Sequence, residues 1–140
     1  NTKGDQLYIK DKYNFSFTLF HYKDANVHSM ANRGFEHPAY LLIEHHQGFL
    51  VFQPIEMKKE LLKERITISS KLKSMKYLIQ NKECDCFEKN DCFYIPITDL
   101  NFFYTKEERL MQTSLTVKLK VNLLKGHMPE NLALLKILFH

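Results

Sequence analysis

Glycine and proline are scarce in this chain of 140 residues, with four of each. That leaves little room for long flexible linkers or low-complexity tracts. The four glycines stand far apart, so no glycine-rich loop exists to cradle a phosphate. Tryptophan is absent, and cysteine occurs only three times. No Gly-x-Ser-x-Gly elbow is present, nor a cysteine in a recognisable catalytic context. No apolar run approaches the ~20 residues of a membrane span. Charge is nearly balanced: 20 basic and 16 acidic residues give +4, a mild excess that does not call for nucleic acid.

What the chain does have is aromatic bulk and two-residue alternation. Eleven Phe and seven Tyr can fill a core without metals or disulfides. Leu115, Val117, Leu119, Val121 and Leu123 alternate with polar residues, as do Tyr13, Phe15, Phe17 and Leu19. Both patterns predict half-buried strands. Ala39 to His45 and Phe49 to Phe52 predict a hairpin turning around Gln47-Gly48, where glycine can supply positive φ. Cys92 to Ile97 and Phe102 to Tyr104 add one or two strands, with Pro96 at an edge or an end. Glu56 to Glu64 holds good helix formers, with Met57 and Leu61 one turn apart. Residues 71–79 and 131–140 are ambiguous between helix and strand. The sum predicts a mainly β protein, a two-sheet β-sandwich with one or two short helices. Residues 1–12 read as a tether and lead-in, and 13–140 as a single domain. Because the chain opens on Asn1 and not on Met, a removed upstream segment is expected, as in a mature exported protein or equally a trimmed cytosolic one.

Candidate sites are few. Cys84, Cys86 and Cys92 lack the second cysteine pair that structural zinc asks for. In an oxidising compartment Cys92 is a candidate disulfide partner for Cys84 or Cys86; in a reducing one all three are thiols. His45-His46 would point to opposite faces of a strand and chelate no ion together. No metal, cofactor or catalytic residue is called for. Lys58, Lys59, Lys63 and Arg65 form a basic patch, readable as a nucleic-acid contact or as a solvated face with its stems laid over apolar surface.

The order of elements resembles the small outer-membrane lipoprotein of the bacterial type VI secretion system, a transthyretin-like β-sandwich. Phe15 to Tyr22 would be its first strand, Asp24 to Pro38 its loop with Asn and Gly leading to Pro, and Ala39 to Glu44 the next strand. Leu115 to Leu124, a turn with Pro129, and Leu132 to Leu138 look like its last two strands. The resemblance implies a lipidated cysteine upstream of Asn1 and residence at the periplasmic face of the outer membrane, with a cytoplasmic site as the alternative. It implies no catalysis. It also implies that Val27, His28, Met30, Asn32, Arg33 and Phe35 grip the periplasmic part of an inner-membrane secretion component. The expected function is a non-catalytic assembly module. The alternatives are a small inhibitor or immunity protein that blocks a toxin, and a basic nucleic-acid-binding domain.

Overall fold

The computed structural model describes residues 11–123 and 130–139. They form twelve strands, all antiparallel: β1 (Asp11–His21), β2 (Asp24–His28), β3 (Ala39–Glu44), β4 (Gln47–Phe52), β5 (Met57–Leu61), β6 (Ile66–Ile79), β7 (Lys82–Asp85), β8 (Phe87–Lys89), β9 (Cys92–Pro96), β10 (Phe103–Thr105), β11 (Leu110–Leu123) and β12 (Asn131–Phe139). The expected short helices are only two 3-10 segments, Met30–Gly34 and Ile97–Asp99.

Strand β1 belongs to both sheets of the sandwich. Its first half, Asp11 to Phe15, pairs with β3, and its second half, Ser16 to His21, pairs with β12. One sheet therefore runs β1-β3-β4-β9-β8 and the other β5-β6-β11-β12-β1, with β2, β7 and β10 added on β1, β6 and β11. The alternation read along β1 and β11 is real: Phe15, Phe17, Leu19, Leu115, Val117 and Leu119 are buried. They meet Leu50, Phe52, Phe93 and Ile95 of the facing sheet. Phe52 takes the edges of Phe15 and Phe17 at centroid distances of 5.7 and 5.1 Å. Such pairs add about 0.5–1.5 kcal/mol each beyond the area they bury.

Three local expectations change. Glu56 to Glu64 is not helical: Met57 to Leu61 is strand β5, paired with β6 so that Met57 faces Ser70 and Leu61 faces Ile66. A spacing of four places two residues on one face of a helix and also on one face of a strand, so that spacing does not discriminate. Residues 71–79 are strand too. A bulge inserts one residue there, so that the buried Leu72 and Met75 stand three apart: Lys120 opposes Ser74 while the next residue, Val121, opposes Leu72. The β3–β4 turn is His45-His46, with φ of 55° and 65°, rather than Gln47-Gly48. The two histidines are thus turn residues and not neighbours along a strand. Gly48 lies within β4, where a β-carbon would come 2.5 Å from Ile97 Cδ1. Close approach, not positive φ, makes it glycine. Segment 131–140 resolves as strand over Asn131–Phe139; His140 and residues 1–10 of the expected tether lie outside the described residues. Strand β1 already begins at Asp11.

Candidate functional site: an apolar cleft beneath a 3-10 lip

The segment between β2 and β3 folds into a lip fixed at several points. The Ser29 N–H donates to the Leu19 carbonyl at 2.8 Å, and Asn32 Oδ1 accepts the Leu19 N–H at 3.0 Å. Ser29 Oγ caps the 3-10 turn by accepting the Ala31 N–H. His37 stacks on Phe17 at 4.0 Å, and its Nε2–H donates to the Asn32 carbonyl at 2.7 Å. Phe35, 2% exposed, drives the end of the turn into the core against Phe17, Phe52 and Phe93.

Below the lip lies a cleft of about 370 Å³, within the roughly 300–1,000 Å³ usual for small-molecule sites. Its floor is the inner face of the β5–β6–β11–β12 sheet, where that face runs on past the closed core. Leu119, Val121 and Ala133 carry it from the core side, and Ile68, Ser70 and Met57 from the hairpin β5–β6. Cross-strand pairing puts the exposed Lys59 opposite Ile68, on the same face of the hairpin. Met30 and Arg33 stand on the lip, and Lys58 joins Lys59 at the wall. Among the described lining residues there are three cations and no carboxylate. A depression of about 430 Å³ elsewhere is lined by Lys71, Lys73 and Lys89 but also by Glu88 and Asp91, so its charges oppose one another.

The structure redistributes the residues picked from sequence. Met30 is 69% exposed and, with Arg33, lines the cleft. Val27 and His28 lie on β2, both exposed, with the His28 ring against Phe20. Asn32 holds the lip in place. Phe35 is a core residue, which corrects its expected role as a partner anchor. The basic patch is not one helix face: Lys58 and Lys59 are on β5, while Lys63 and Arg65 sit in the β5–β6 turn. The cleft itself was hidden in the sequence, because Met57 and Lys59 read as helix and their pairing to Ile68 and Ser70 is a tertiary fact. The polar turn residues around Ser29 and the exposed Met30 were its one local signal.

All three cysteines are free in this structure, where the sequence left both a Cys92 pairing and three thiols open. Cys92 packs with Leu42 and Val51 in a small cluster of its own, whereas Cys84 and Cys86 pack against the main core. Burial, with help from Glu88 and Asp85, pushes the Cys86 thiol up to about 12. Burial and Asp91 also raise Cys92. Both shifts disfavour the thiolate, which is the nucleophilic form. Among the described residues no group of three His, Cys, Asp or Glu is placed to hold a metal ion.

No family model matches the chain, and no curated protein matches it in sequence. Solved structures do. The backbone is similar to the NEAT5 domain of IsdX2, a B. anthracis hemophore, in complex with heme. The TM-score is 0.57 at 12% identity, over 92% of this chain and 96% of that one. A single-residue variant of the same domain, also with heme, gives the same TM-score and identity over 95% of its length. The β-sandwich is thus shared along nearly the whole chain. These neighbours hold a small molecule, and they overturn the expected function as a secretion-complex part with an inner-membrane protein partner. The inhibitor and nucleic-acid alternatives fall with it: the neighbours suggest neither, and the basic stretch proves to be a hairpin that walls a cleft.

Proposed function

We propose that this chain is a heme-binding domain, a carrier that performs no chemistry on what it holds. The observation that carries the reading is the cleft: an apolar floor of Ile68, Leu119, Val121 and Ala133, flanked by Arg33, Lys58 and Lys59 with no carboxylate among the described lining residues. Heme is a flat apolar ring with carboxylate arms, and this lining matches both parts. Apolar walls take the ring faces, and the cations at the mouth take the carboxylates through charge-assisted hydrogen bonds. The similarity to heme-bound domains over 92% of the chain supports placing a ligand of this class in this fold. The group bound there would supply redox-active iron; the protein's own part is to hold the ring and screen it from water.

Titration of the purified chain with hemin, followed by the Soret absorbance, tests this. Saturable one-to-one binding is expected. Lys58→Glu with Lys59→Glu should weaken it by about tenfold or more without loss of fold, since both side chains are exposed. Absence of saturable binding, or binding indifferent to the double reversal, would sink the proposal.

A further inference from the structure

We infer that the Met30 thioether is a protein ligand to the heme iron and that the site therefore prefers ferrous heme. This rests on the heme reading above and deepens it. Iron in heme is held by imidazole, thiolate, phenolate or thioether donors. Among the described residues that line the cleft there is no His, Cys or Tyr, and the ammonium groups of Lys58 and Lys59 have no lone pair to give. The described lining holds two thioethers, Met30 and Met57.

Their surroundings differ. Met57 is half-buried and packed under the lip: its Sδ lies 3.1 Å from where a β-carbon on Gly34 would sit. Its sulfur is used in closing the protein against itself. Met30 does the opposite. It is a large apolar side chain left 69% exposed on a turn tied twice to Leu19, by the Ser29 N–H donating to its carbonyl at 2.8 Å and by the Asn32 side-chain oxygen accepting its N–H at 3.0 Å. A flexible side chain on a rigid support at the mouth of a cleft can swing onto a ligand without moving the backbone. An exposed methionine in such a place gains nothing for the fold, so its apolar surface and its donor are both available to a bound molecule. A neutral, soft thioether stabilises Fe(II) over Fe(III).

The test compares three probes on three proteins: ferrous heme, ferric hemin and metal-free protoporphyrin IX, on wild type, Met30→Leu and Met57→Leu. Leucine keeps the apolar bulk and removes the sulfur. Met30→Leu is expected to cost about tenfold or more in ferrous-heme affinity, to shift the Soret band, and to leave protoporphyrin IX binding within about twofold of wild type. Wild type is expected to bind ferrous heme more tightly than ferric. Unchanged affinity and spectrum in Met30→Leu, or a loss seen only in Met57→Leu, would overturn the assignment while the cleft reading stands. Failure of wild type to bind any of the three would remove the heme reading itself, and this inference with it.

Discussion

Asn32 and Leu19 are joined by a hydrogen bond between a side chain and a buried backbone, the Leu19 N–H donating to Asn32 Oδ1 at 3.0 Å. Leu19 is 1% exposed, so water cannot replace this acceptor. Asn32→Ala should therefore cost about 1–3 kcal/mol, the penalty of an unmet buried donor, measured by urea unfolding. Because the same bond seats the lip over the cleft, ligand affinity should fall as well. Asn32→Asp keeps the oxygen and should retain most of both. Equal damage from the two variants would show that the amide nitrogen, not the oxygen, matters.

Gly48 is a second point where two segments meet too closely for a side chain. A β-carbon there would stand 2.5 Å from Ile97 Cδ1 and 3.0 Å from its Cγ1. Gly48→Ala is expected to destabilise by about 1–3 kcal/mol through overpacking. Pairing it with Ile97→Val, which removes the clashing terminal methyl, should recover part of the loss, and thermal unfolding of the double variant reads this directly. Additive losses would mean that the clash is not the cause.

Tyr77 gives the fold a pH dependence. Its ring is buried and its hydroxyl donates to Asp99 Oδ2 at 2.6 Å. Burial first, then the bond and charge of Asp99, hold the phenol well above its ordinary range. Up to about pH 10 the phenol is protonated in folded and unfolded chains alike. Above that the unfolded chain releases the proton and the folded chain keeps it, so stability falls as pH rises. Tyr77→Phe should cost about 1.5–3 kcal/mol near neutrality, as for a hydrogen bond to a charged group, and make the alkaline decline shallower. Tyr40 and Tyr94, also raised by burial, would retain part of the slope. A slope identical to wild type above pH 10 would refute the role of Tyr77.

The sandwich was legible because β1 and β11 bury alternate residues, and alternation is a local property, whereas β12 could not be told from a helix until its pairing with β1 and β11 was seen. The hairpin β5–β6 was not, since Met57 and Leu61 satisfy both helix and strand spacing and only the partner strand decides. Positive φ at His45-His46 was equally hidden, because histidine is a poor marker of such turns while the nearby Gly48 is a good one. Site legibility followed the same rule. Met30 could be singled out from its own loop, but the cations Lys58 and Lys59 joined it only through sheet register. Phe35 was misplaced because a phenylalanine in a polar loop looks exposed until the loop is seen to turn inward.

Met30 and Phe35 separate the two roles that their shared loop can play. Each receives the same change, to aspartate. Phe35 packs on three phenylalanine rings at centroid distances of 6.0 to 6.4 Å. Truncating such a residue costs about 3–5 kcal/mol, and an unpaired buried carboxylate adds to that. Phe35→Asp should therefore fail to fold at 25 °C, seen as loss of the cooperative thermal transition. Met30 is exposed, so Met30→Asp should keep wild-type unfolding within about 0.5 kcal/mol. It would also place a carboxylate beside Arg33, Lys58 and Lys59, where it competes with an anionic ligand for their charge. Hemin affinity should drop while the fold persists. A folded Phe35→Asp would mean that the loop does not insert as described, and an unfolded Met30→Asp would mean that Met30 supports the core rather than the cleft.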